Sequence, residues 1–192
     1  KNQYKIENFE VDLYPDEGDF PILRGEEIAK SGNSGSSGGP HLHFEIRNAK
    51  DEVLNPLDFD FSEIKDTILP SVELIALEPM DKNARVAGDF EAKEYRVLGT
   101  GKKLYVSKKI KAYGWLGLET LTYDRLNGAS FKNGTVKVRV EINNELVYQN
   151  KIDEVSYEMT NYLNVFADYE YIRKKRKKVQ RCYVTDGNKL AI

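Results

Sequence analysis

Ten consecutive residues, Ser31-Gly32-Asn33-Ser34-Gly35-Ser36-Ser37-Gly38-Gly39-Pro40, comprise four glycines, four serines, one asparagine and one proline. Such a run offers almost no side chain to bury and favours turn conformations, so it reads as a loop that no helix or strand crosses. It opens directly into His41-Leu42-His43-Phe44-Glu45-Ile46-Arg47, where polar and apolar residues alternate. Period two predicts a strand with Leu42, Phe44 and Ile46 on one face and His41, His43, Glu45 and Arg47 on the other. Two imidazoles on one strand face reach a common reaction centre, as a metal site requires. A solvent-facing strand with no task presents the same pair. Context favours the metal site: the small-residue loop keeps bulk away from an open coordination position, and both histidines of the chain fall here.

Upstream, residues 9–30 alternate short apolar pieces with turn residues (Tyr14 to Gly18, then Arg24-Gly25-Glu26), which predicts strand, loop, strand. Downstream, Asn48-Ala49-Lys50-Asp51 is a polar turn and Leu54-Asn55-Pro56-Leu57 begins a connector that ends at Leu69-Pro70. Beyond it come β-branched and aromatic runs over 72–77, 104–106, 109–113, 116–123, 135–142 and 145–152. Their regular spacing predicts an antiparallel, immunoglobulin-like sandwich. Asn143-Asn144 and Leu126-Asn127-Gly128 are its expected tight turns. Tyr162, Val165, Phe166, Tyr169 and Ile172 recur at helical spacing, although aromatics also tolerate a strand. The basic run from Arg173 to Lys178 reads as a solvated loop rather than a nucleic-acid patch, and Asp124 with Asn127 as a turn-capping pair rather than calcium ligands.

Composition narrows the partners. A formal net charge of −2 gives no broad basic field for nucleic acid or an anionic membrane surface. No apolar run is long enough to span a bilayer, and residues 1–14 do not have the pattern of a secretory signal. The one cysteine, Cys182, has no intrachain disulfide partner, and with one Cys and two His any metal site needs carboxylates or ligands from elsewhere.

Ser31-Gly32-Asn33-Ser34-Gly35 followed by Gly39-Pro40-His41-Leu42-His43-Phe44-Glu45-Ile46-Arg47 resembles the closing motif of the LytM/lysostaphin family of zinc metalloendopeptidases. Arg24-Gly25-Glu26-Glu27-Ile28-Ala29 upstream and Leu54-Asn55-Pro56 downstream extend the resemblance through about residues 20 to 60. It implies that His43 is a zinc ligand and His41 the neighbouring catalytic, non-ligand histidine. It also implies peptidoglycan peptide crosslinks as substrate and a periplasmic, envelope or secreted location. The family's remaining zinc ligands come from an earlier His-x-x-x-Asp segment, with one more catalytic His between, and no histidine precedes His41. The expectation is therefore a mainly β chain. Residues 1–69 form the C-terminal half of a LytM-type peptidase domain, with the missing ligands supplied from outside. Residues 70–192 form an accessory β-sandwich, truncated at its C-terminus, whose Gly117 to Ala129 and Asn133-Gly134-Thr135 resemble the β-domain that follows the peptidase in envelope proteins of the Bacteroidetes type. Glu45 either fixes a histidine tautomer or pairs with Arg47 or Lys30. Tyr113, Trp115, Tyr123, Tyr148, Tyr157 and Tyr162 are either sheet core and edge or, in part, a glycan platform. The competing reading is a catalytically inactive LytM-like regulator, or an accessory module of an envelope assembly.

Overall fold

The computed structural model describes residues 14–33 and 38–190. Its contacts divide the chain into two compact units, Lys1–Phe44 and Glu45–Ile192. The sequence places the division at Leu69-Pro70 instead. The difference arises because the connector after Leu54 is tied to the C-terminal part. Asn55 N–H donates to Asp153 O at 2.9 Å, Asn127 N–H to Lys65 O at 3.1 Å, and Thr67 N–H to Asn127 Oδ1 at 3.0 Å.

In the first unit, the expected turns form where expected. Asp19 N–H donates to Asp16 O at 3.1 Å, with Gly18 at φ +91°, and Glu26 N–H donates to Leu23 O at 3.0 Å. The strands expected around them are absent among the described residues, and residues 14–33 are exposed throughout. A strand is stable only with a neighbour and a covered apolar face, and residues 14–33 find neither among the described residues. Residues 9–13 and 34–37 lie outside the described residues. The described ends of the small-residue run, 31–33 and 38–40, belong to no helix or strand.

The second unit is mainly antiparallel β. Ile46–Arg47 (β1), Val53–Leu54 (β2) and Glu154–Val155 (β11) form a small sheet in the order β1-β2-β11. The turn between β1 and β2 is built by Asn48, whose Oδ1 accepts from Lys50 N–H and Glu52 N–H. The larger sheet has the order β12-β8-β3-β5-β6, from Gln180–Arg181 (β12), Leu116–Tyr123 (β8), Ser71–Pro79 (β3), Lys93–Thr100 (β5) and Lys103–Val106 (β6). Arg85–Val86 (β4) pairs with Ala112–Tyr113 (β7), and Lys137–Ile142 (β9) with Glu145–Lys151 (β10).

The two faces of the large sheet have different covers. Leu74, Ala76 and Leu121 project to one side and pack with Tyr171 and Val179. Tyr171 comes from the helix Tyr169–Lys175 (α2), which follows the short helix Leu163–Phe166 (α1), so the helical spacing of the aromatics is realised. Asp168 caps α2 by accepting from Glu170 N–H and Tyr171 N–H. Arg173, Lys174 and Lys175 occupy its last turn, where cations complement the helix dipole. On the opposite face, Val72, Ile75, Leu118 and Thr120 look across a cavity of about 440 Å³ at Val138 and Val140 of β9. A register shift between Val72 and Leu74 inserts one residue into β3 and lets both apolar neighbours point to their proper sides.

Candidate functional site

The strand expected over 41–47 contracts to Ile46–Arg47. Its partner strand explains why. The register Ile46↔Leu54 would next place Asn55 opposite Glu45 and Pro56 opposite Phe44. Asn55 instead caps a single 3-10 turn, Pro56–Asp58, with its Oδ1 accepting from Leu57 N–H, and Pro56 has no N–H to give. The backbone of 41–45 thus has no ladder among the described residues, and Leu42 and Phe44, expected on one face of the strand, are exposed.

His41 and His43 lie in this extended, exposed segment directly after the small-residue run. The His41 ring Nδ1 is 2.9 Å from Gly39 O. A carbonyl oxygen only accepts, so Nδ1 carries the proton and the neutral ring holds its lone pair on Nε2. The loop therefore sets the tautomer of the histidine that it precedes.

Glu45 and Arg47 are paired, as one of the expected alternatives has it. Arg47 donates from Nε and Nη2 to Glu45 Oε2 at 2.9 and 2.7 Å, and from Nη1 to Asp51 Oδ1 at 2.9 Å. The Tyr157 hydroxyl donates to Glu45 at 2.9 Å and accepts from Arg47 Nη2 at 2.8 Å, with the guanidinium 4.7 Å from the ring centroid. Hydrogen bonds to Asp51, then to Glu45, push the Arg47 pKa further up, and the bond to Glu45 raises that of Tyr157. The sequence offers Tyr157 only as one of the sheet or glycan-platform aromatics, not as a partner of Glu45 and Arg47. It comes from 110 residues along the chain from Arg47, beyond the reach of any local pattern.

A second polar cluster lies inside the large sheet and was also unforeseen. Glu119 of β8 is 1% exposed. The Tyr183 hydroxyl stands 3.2 Å from Glu119 Oε1 and 3.1 Å from Glu78 Oε2, and its single proton serves one carboxylate at a time. Arg181 lies 3.6 Å from Glu119 and 3.5 Å from Asp168, and donates to Val165 O at 2.9 Å. Burial, then the negative charges of Asp168 and Glu78, push the Glu119 carboxyl up to about 7 against the pull of Arg181. The visible signal is a glutamate at an inward position of an otherwise apolar strand. Burial also pushes the neighbouring Cys182 thiol up to about 12, so at neutral pH it is a packed thiol and not a nucleophile.

Asp124 and Asn127 act as turn residues. Asp124 Oδ1 accepts from Arg125 N–H at 2.8 Å, and Asn127 exchanges hydrogen bonds with Thr67. Of the aromatics considered for a glycan platform, Tyr113, Trp115 and Tyr157 are exposed, whereas Tyr148 is partly buried and donates to Arg181 O at 3.2 Å. Among the described residues, no group of three or more His, Cys, Asp or Glu is placed to hold a metal ion, and no helix is long and apolar enough to cross a membrane. Compared with protein-family models, with curated proteins and with solved structures, the chain matches none.

Proposed function

We propose that this chain carries the closing half of the active site of a LytM-type zinc endopeptidase, which hydrolyses peptide crosslinks of peptidoglycan in the bacterial cell envelope. The supporting observation is the ordered run from Ser31 to Arg47, with both of the chain's histidines at its centre. In this reading His43 is a zinc ligand and His41 the catalytic histidine beside it, and residues 70–192 form an immunoglobulin-like accessory domain. The exposure of His43 suits a residue that is to meet ligands brought from elsewhere. The Gly39 hydrogen bond suits His41 to proton transfer, since it leaves the basic lone pair on Nε2.

A catalytic zinc takes three protein ligands, and these residues supply one of them, His43; the His and Asp of the other half come from outside them. When bound, the zinc polarises the scissile carbonyl and lowers the pKa of its water towards 7. The part left to His41 is to take and return a proton, or to hydrogen-bond the developing oxyanion. The inactive-regulator reading has one observation in its favour, the lack of any His-x-x-x-Asp before His41 in these 192 residues.

Substitution in a polypeptide that carries both halves separates the two readings. His43→Ala removes a ligand, so zinc content and cleavage of purified sacculi fall together. His41→Ala leaves the ligands, so zinc stays while turnover drops by roughly 10²–10⁴-fold. Exchanged phenotypes would exchange the two roles, and cleavage unaffected by either substitution would make the domain a regulator or binding module.

A further inference from the structure

The basic run at the end of α2 is mostly accounted for by local structure. Arg173 to Lys175 complete the helix terminus, and Lys175 and Lys177 both reach Glu94 of β5. Burial opposes ionisation of Glu94, and the hydrogen bonds from Lys175 and Lys177 outweigh it and hold the carboxyl down at about 2. Arg176 and Lys178 remain. No carboxylate among the described residues pairs with either, and both are exposed. Arg176 ends the helix at φ +56°, a left-handed position that glycine or asparagine fills at lower cost.

Both cations line a cavity of about 510 Å³ on the α2 side of the unit. Its volume lies within the range of small-molecule sites. Lys132 and Glu73 also line it, the ammonium lying 3.8 Å from the Glu73 carboxylate and 3.8 Å from the centroid of the Tyr123 ring. Leu121, Ile152 and Phe166 give the cavity an apolar wall. Gln180 also lines it, and its Nε2 is shielded from solvent with no hydrogen-bond partner among the described residues. An amide donor left without an acceptor is unfavourable, and an anionic oxygen in the cavity would satisfy it. Excess positive charge, an unsatisfied donor and an apolar wall in one recess describe a receptor for an anion with an organic body.

The geometry points to a binding site for a small organic anion, whose carboxylate or phosphate head is held by Arg176, Lys178 and Gln180 and whose body rests on Leu121, Ile152 and Phe166. This site stands apart from the peptidase reading and holds whether or not His43 binds a metal.

Calorimetric or NMR titration of the whole 192-residue chain tests it with four probes: N-acetyl-alanyl-alanine as the free acid, the same dipeptide as its C-terminal amide, phenyl phosphate and inorganic phosphate. The expected result is saturable binding of the dipeptide acid or of phenyl phosphate with Kd of about 1 mM or tighter, weakened by added salt, and none of the amide. Preference between the two organic acids identifies the head group as carboxylate or phosphate. Arg176→Asn, which keeps a residue suited to the left-handed backbone, and Lys178→Gln should each weaken binding at least about tenfold without lowering Tm. Gln180→Met should weaken it also, and its chemical-shift spectrum reports whether the fold survives. Equal binding of acid and amide, failure of every organic anion, or unchanged affinity in both Arg176→Asn and Lys178→Gln would overturn the proposal. Inorganic phosphate bound as tightly as phenyl phosphate would overturn the part given to the apolar wall.

Discussion

Single residues show two kinds of information. His41 and His43 stand out in the sequence because their neighbours are so constrained: a loop of small residues, then strict alternation. Glu119 does not stand out as a site, since its environment is assembled from Glu78, Asp168, Arg181 and Tyr183, which come from three other parts of the chain. Its chemistry has a measurable sign. With an ordinary value of 4.5 raised to about 7 in the folded state, the carboxyl is protonated in both states below pH 4.5, where folding suffers no penalty. Between pH 4.5 and 7 the unfolded chain releases the proton and the folded chain keeps it, so stability falls as pH rises. Above pH 7 the loss is complete, on the order of 3 kcal/mol. Glu119→Gln removes that titration, so its advantage over the parent chain should be small at pH 4 and full at pH 8 in urea unfolding. An advantage independent of pH would mean that Glu119 titrates in the fold as it does in the unfolded chain.

At the scale of elements, strands rich in β-branched and aromatic residues were legible, and β8 falls on the very residues expected, Leu116–Tyr123. β5 is hard to see in the sequence because Glu94 and Arg96 interrupt its half-buried set, Lys93, Tyr95 and Val97, which itself opens on a charged residue. The error over 41–47 was of the opposite kind: alternation specifies which face each side chain takes, but it supplies no neighbouring strand, and Pro56 denies one. The Asn143-Asn144 turn was read correctly, and its backbone explains why. Both residues have positive φ, +53° and +68°, as a two-residue type I′ hairpin between β9 and β10 requires. Asn144→Gly should therefore raise stability by up to about 1 kcal/mol, and Asn144→Val should lower it by about 1–2 kcal/mol, because a β-branched side chain resists that backbone. Paired thermal unfolding curves measure both. Equal shifts of the same sign would show that the loop has another conformation.

Across the whole molecule, the change of pattern at Leu69-Pro70 is real as sequence but does not mark where contacts thin out. That point falls between Phe44 and Glu45, because Asn55, Lys65 and Thr67 all bond to residues beyond 120. Limited proteolysis distinguishes the two boundaries. Arg24 and Lys30 lie in exposed backbone outside any helix or strand, whereas the Lys65 carbonyl is held by Asn127. Trypsin should cut after Arg24 and Lys30 first and leave long products beginning at Gly25 and Ser31. Early cutting after Lys65 would restore the division at 69/70.

The middle position of β2 also has a consequence in time. Leu54 pairs on one side with Ile46, eight residues away, and on the other with Glu154, a hundred residues further on. A ribosome adding about 5–20 residues per second needs roughly 5–20 s to bridge that gap. Throughout that interval the hairpin next to the histidines has emerged with one flank unpaired, a state that a nascent-chain binding factor can engage. The hairpin beside the histidines is thus made a hundred residues ahead of the strand that completes its sheet.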